Sequence, residues 1–141
     1  MAFTLFADTR AALARDSLHG LSVGDALGSQ FFVPGRRPAD LAAGRLPPTP
    51  WQWTDDTEMA CSVVAELTGA GEIDRDRLAL AFAHRCEPYR GYGTGAVTIL
   101  RLIRTGTPWP ALVPGHPTLA VAGLVQPDSG IFTLSHWQTV L

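Results

Sequence analysis

An all-α fold is predicted for this chain of 141 residues, on three observations. Apolar residues recur at helical spacing in several runs before Trp109, glycine and proline clusters punctuate those runs, and nothing in that region alternates as a half-buried strand would. At this length a compact chain buries about two-thirds of its unfolded surface, and 46% hydrophobic content is ordinary. A single domain is expected.

The elements follow in order. A first helix is expected from about Asp8 to Gln30, interrupted near Gly20, Gly24 and Gly28. Residues 33 to 50 are expected to be loop, because Pro34, Pro38, Pro47, Pro48 and Pro50 remove backbone donors and fix φ. Such a crossing delivers the next residues rigidly. A helix from about Asp56 to Thr68 carries Met59, Val63, Val64 and Leu67 at helical spacing and ends in a Gly69-Ala70-Gly71 turn. Another, from about Asp74 to Cys86, carries Leu78, Phe82 and Cys86, and a last one runs from about Gly95 to Thr105. The loop before it, Gly91-Tyr92-Gly93-Thr94-Gly95, is either a flexible connector or a cradle of backbone amides for a phosphate at a helix start; no strand precedes it.

The most informative stretch is Trp53-Thr54-Asp55-Asp56-Thr57-Glu58-Met59. Thr54, Asp55 and Asp56 place three hard oxygen donors where a loop turns into a helix, which suits a magnesium-like cation. Free N–H groups and the helix dipole already favour carboxylates there. Two adjacent carboxylates nevertheless repel by about 3 kcal/mol at ~5.5 Å and an effective dielectric of ~20, whereas a cap or a dipole interaction returns about 1 kcal/mol. A cation would relieve that conflict. Capping is the other role open to these residues, since Thr or Asp before a helix is ordinary and Asp55 with Glu58 approximates a capping box.

Upstream, Gly20-Leu21-Ser22-Val23-Gly24-Asp25-Ala26-Leu27-Gly28 sets glycines four residues apart around one acid. Each glycine weakens a helix interior by roughly 1 kcal/mol relative to alanine, which suggests a packing or ligand-approach reason for three of them. Asp25 is either part of that arrangement or a solvated helix position.

Gly-x-x-x-Gly-Asp-Ala-Leu-Gly, followed about thirty residues later by Trp-Thr-Asp-Asp-Thr-x-Met, resembles the ADP-ribosylglycohydrolase family, of the dinitrogenase reductase activating glycohydrolase type, from about Arg10 to Trp109. The resemblance implies an all-α hydrolase with two magnesium ions at the centre of a helical bundle. Its substrates would be ADP-ribose linked to protein side chains or to small molecules. By that likeness Thr54, Asp55 and Asp56 are metal ligands, and the helix bearing Gly24 and Asp25 lines the same cleft. Gly24, Asp25 and Gly93 are then the candidate substrate-binding residues.

The chain also departs from the family pattern. Where many relatives carry a glutamate a few residues beyond Gly-Asp-x-x-Gly, it reads Phe31-Phe32. Others carry an acid in the loop corresponding to residues 90–95, and this chain has none there. The catalytic acid or base is therefore unassigned. The family is about twice this length and takes further metal ligands from an Asp-x-Asp-Thr motif in its second half. The sole Asp-x-Asp here, Asp74-Arg75-Asp76, precedes the run Leu78, Phe82, Cys86 and is expected to start a helix.

After Trp109 the character changes. Asp128 is the one charged residue from Pro110 to Leu141, and Pro110, Pro114, Pro117 and Pro127 break that stretch repeatedly. The expected organisation is the first half of a family bundle over residues 1–109, with an atypical tail over 110–141 arising from a frame change or truncation, or from a lineage-specific ending.

The remaining composition excludes several classes. With a net charge of -2 and eleven arginines interspersed among acids, no field for nucleic acid or an anionic membrane is expected. Cys61 and Cys86 lie at no metal spacing and are expected as reduced, buried thiols. Four separated histidines, at positions 19, 84, 116 and 136, form no ligand pattern. No signal segment or apolar run of eighteen residues is present, so a cytoplasmic protein is expected. An exposed half-core would favour self-association. Three functions stay open: a magnesium-dependent hydrolase of ADP-ribosyl glycosidic bonds, a non-catalytic remnant or ADP-ribose-binding module, and a helical interaction module whose acids only cap helices.

Overall fold

The structure, a computed structural model, describes residues 7–112. Every regular element among them is helical: α1 (Ala7–Gly28), α2 (Pro38–Ala42), α3 (Asp55–Ala70), α4 (Arg75–Arg85) and α5 (Thr94–Arg104), with short 3-10 turns at Ser29–Phe32, Pro88–Arg90 and Trp109–Leu112. The all-α expectation holds. Two compact units divide the described residues, one of residues 7–74 together with Tyr89–Gly91, the other of Arg75–Pro88 and residues 92–112.

In the first unit α1 packs against α3. The interruption expected near the glycines is absent, since α1 runs unbroken to Gly28. A Cβ built on Gly20, Gly24 or Gly28 would meet nothing within 4 Å, so close packing is not what requires them. Their combined helix penalty, about 3 kcal/mol, is offset by the contact with α3 and by the hydrogen bonds of Asp25 described below. The stretch expected as pure loop contains α2, which Pro38 starts from a position where its missing N–H costs nothing. Arg36 donates to Gln30 Oε1 at 2.6 Å and Trp51 Nε1 to the Pro47 carbonyl at 3.1 Å, which brace the crossing between α1 and α3. The Thr49-Pro50 peptide is cis.

α3 starts one residue earlier than expected, with Thr54 as its N-cap. It also absorbs most of the anticipated Gly69-Ala70-Gly71 turn. Gly71 supplies the left-handed cap (φ 78°), a conformation glycine adopts without a Cβ penalty, and its N–H donates to the Leu67 carbonyl at 3.1 Å.

In the second unit α4 packs against α5. Leu78, Ala83, Cys86, Tyr92, Leu100, Ile103 and Leu112 are buried, as amphipathic spacing requires. Arg104 donates to the carbonyls of Ala83 (2.7 Å) and Cys86 (3.3 Å), placing a cation on the orphan acceptors at the end of α4. Asp74-Arg75-Asp76 does begin a helix, and Asp76 accepts from Trp109 Nε1 at 2.6 Å. Both cysteines are free; Cys86 is buried, whereas Cys61 is only half-buried. His19 and His84 are exposed. His116, His136 and the tail from residue 113 lie outside the described residues. Among those described, no helix is long and apolar enough to cross a membrane.

Candidate metal-binding site

Asp25 settles what the acids at the start of α3 are not needed for. Its carboxylate reaches from α1 across 29 residues of sequence and accepts from the Thr54 N–H at 2.7 Å and the Thr54 hydroxyl at 2.6 Å. It also accepts from the Thr57 hydroxyl at 2.6 Å and the Thr57 N–H at 3.3 Å. Thr57 is the third residue of α3, whose free N–H an N-cap side chain ordinarily takes. The Thr54 side chain makes no such bond, and Asp25 supplies it from another helix. A capping box of Asp55 with Glu58 is excluded, because Asp55 already lies inside the helix.

That arrangement leaves donor atoms available. A hydroxyl has one proton, and Thr54 directs its own to Asp25, so the oxygen lone pairs remain free for a cation. Asp55 is half-buried and Asp56 exposed. Burial first, then the neighbouring Asp56 carboxylate, push the Asp55 carboxyl above its ordinary range, and Asp25 adds a smaller push. Its own backbone N–H offsets this only in part. Asp25 differs. Burial pushes its carboxyl up as well, but the hydrogen bonds of Thr54 and Thr57 outweigh that and hold it below the ordinary range. Two adjacent acids thus keep an electrostatic conflict that a bound cation would relieve, while the ionised form of the third is stabilised by its donors.

The donor chemistry fits magnesium. One hydroxyl and two carboxylates are hard oxygen ligands, and magnesium commonly takes one or two carboxylates while keeping several waters. Among the described residues no group of three or more His, Cys, Asp or Glu side chains is placed to hold a metal.

Tyr89–Gly91 passes beside this cluster. Gly91, at φ 97°, lies so that an added Cβ would sit 3.7 Å from Asp55 Oδ1. Arg90 stacks its guanidinium on the Trp53 ring, 3.5 Å from the centroid, and donates from Nη1 to the Trp53 carbonyl at 3.3 Å. No short-range pattern in the sequence flags Arg90, because its partner lies 37 residues away. Thr57 stands in the sequence motif, but its pairing with Asp25 and its burial, at 3% exposed, appear only in the structure.

Of the candidate substrate residues, Asp25 joins the Thr54 cluster and Gly24 precedes it on an exposed part of α1. Gly93 belongs to the second unit, where it is the N-cap of α5. The position expected for a glutamate is Phe31-Phe32, with Phe32 91% exposed.

The family model of the ADP-ribosylglycohydrolases matches residues 7–129. The chain belongs to the ADP-ribosylglycohydrolase family. Members are helical hydrolases that act on ADP-ribosylated substrates and are generally metal-dependent. No curated protein and no solved structure matches the chain significantly.

Proposed function

We propose that this chain carries one face of a magnesium-dependent site for hydrolysis of ADP-ribosyl glycosidic bonds, with Thr54, Asp55 and Asp56 as the metal ligands. The observation that supports it most is the Asp25 clamp, which takes over helix capping and leaves the Thr54 oxygen and both carboxylates for a cation. Magnesium, when bound, supplies Lewis-acid polarisation of a ribose oxygen or of water. Asp25 orients Thr54. The exposed, side-chain-free face at Gly24 gives substrate room beside it.

A second function, ADP-ribose binding without turnover, is favoured by Phe31-Phe32 standing where relatives carry an acid. A cytoplasmic location accords with two free thiols, and self-association through exposed apolar side chains such as Phe32 and Leu46 is part of the same proposal. Sedimentation tests the latter.

The deciding experiment titrates magnesium into the protein and into an Asp55→Ala, Asp56→Ala double variant, then assays release of ADP-ribose from an ADP-ribosylated substrate. Weak binding, lost in the double variant, is expected from so few protein ligands. Strong binding that survives the double substitution would place the metal elsewhere. Magnesium-dependent turnover supports the hydrolase, and binding without turnover the second function.

A further inference from the structure

The peptide group between Trp53 and Thr54 is held at both ends by ionised side chains from different parts of the sequence. On one side the Thr54 N–H donates to Asp25 Oδ2 at 2.7 Å. On the other the Trp53 carbonyl accepts from Arg90 Nη1 at 3.3 Å. The Arg90 guanidinium carbon also lies over the Trp53 ring, 3.5 Å from its centroid, so one planar group meets both the side chain and the carbonyl of the same residue. Lysine, a point charge on a flexible stem, cannot do both.

This peptide group sets where α3 begins. Rotating it would swing the Thr54 hydroxyl off Asp25 and change the direction of Asp55 and Asp56, which follow directly. Arg90 retains its place despite a buried Nε that has no hydrogen-bond partner among the described residues, and such an unsatisfied donor is a cost. Gly91, the next residue, runs past Asp55 Oδ1. The Arg90-Gly91 segment therefore touches the ligand loop at Trp53 and lies beside its first carboxylate.

We propose that Arg90 is a positioning residue for the metal ligands. Together with Asp25 it clamps the Trp53–Thr54 peptide group and so aims Thr54 and Asp55 at the cation. This rests on the assignment of Thr54, Asp55 and Asp56 to magnesium.

The test compares the protein with Arg90→Lys, Arg90→Gln and the Asp55→Asn, Asp56→Asn pair, using magnesium alone as the probe. Circular dichroism checks folding. Backbone amide NMR then reads two quantities, the magnesium dissociation constant and the exchange protection of the Thr54 amide without metal. If Arg90 positions the ligands, both Arg90 variants remain helical, lose Thr54 protection and bind magnesium about tenfold or more weakly, the usual effect of removing a group that orients a ligand. A residue that served stability alone would lower the melting temperature and leave the dissociation constant unchanged. Should Arg90→Gln not fold, Arg90→Lys decides, and Trp53→Phe, which keeps a ring and the carbonyl, should bind magnesium better than either Arg90 variant. Magnesium binding abolished by the Asp pair but equal to wild type in Arg90→Lys would overturn the positioning role and leave the metal assignment standing. Binding that survives the Asp pair would overturn the metal assignment, and the role of Arg90 with it.

Discussion

The two units bury different chemistry. In the second, α4 and α5 meet through Leu78, Ala83, Leu100 and Ile103, while the charged side chains of Arg101 and Arg104 stay at the exposed surface. In the first, the buried residues among those described are Ala26, Thr57, Glu58 and Ser62, and large apolar side chains such as Leu13, Val23, Phe32 and Leu46 stand exposed. The second interface combines apolar area with the hydrogen bonds of Arg104 to the end of α4, whereas in the first four directed hydrogen bonds converge on a single carboxylate. Burial of apolar area is tolerant of small displacements, whereas four donors converging on Asp25 specify one arrangement. The unit that bears the candidate site is the one built on directional contacts.

Substitutions that exchange these strategies should break the contrast, and the largest effect belongs to Asp25→Ala. It strips the acceptor from two hydroxyls and two N–H groups at once, with Thr57 only 3% exposed. About 3 kcal/mol of stability should be lost from the first unit, with magnesium binding, as read by denaturant unfolding and by metal titration. Asp25→Asn, which keeps one acceptor oxygen, should lose less.

Leu100→Ala applies the same logic to the second unit. Removing a side chain that is 6% exposed should lower stability by about 2 to 3 kcal/mol. Magnesium affinity should not change. A matching loss of affinity in calorimetry would mean that the two units do not divide core and site as described.

Arg104→Met sharpens the picture of how α4 ends. Two carbonyls lose a charged donor, so unfolding should show a loss of about 1 kcal/mol, with the exchange protection of the last turn of α4 falling first.

Asp55→Asn should act in the opposite direction on stability. Its carboxylate is disfavoured by burial and by Asp56, so removing the charge should stabilise the metal-free protein, by about 0.5 kcal/mol once solvent screening is allowed for, while metal binding falls. Destabilisation of the metal-free protein in thermal melts would show that Asp55 serves the fold.

The smallest effect is expected at α2. Hydrogen bonding from Arg45 holds the Asp40 carboxyl below its ordinary range against the opposing effect of burial. Because the folded value is depressed, the contribution of the pair is present above the ordinary carboxylate range and is lost as pH falls through the depressed value. In Arg45→Met, the side-chain NMR titration of Asp40 should return towards ordinary, with no measurable change in global unfolding.

Much of this was legible before any coordinates. The apolar runs from Met59 to Leu67 and from Leu78 to Cys86 mark α3 and α4, because side-chain periodicity is a local property of a helix. Thr54, Asp55 and Asp56 were identifiable as candidate ligands for the same reason, being adjacent in sequence. The glycines misled in part. Their helix penalty predicted a break in α1, but contact with α3 outweighed it, and local propensity is a weak guide where packing intervenes. The five-residue α2 was missed because proline-rich sequence signals loop, although proline is at home in the first turn of a helix.

By itself the sequence determined the all-α class, the order of the longer helices, the family and the oxygen donors at the start of α3, each of which depends on residues near one another in the chain. Only the tertiary structure decided that Asp25 caps α3, that the Thr54 proton is committed to it, and that Arg90 holds the Trp53 carbonyl. Those contacts join residues 29 to 37 positions apart, and the periodicity that marks a helix does not say which side chain will stand across from its first turn.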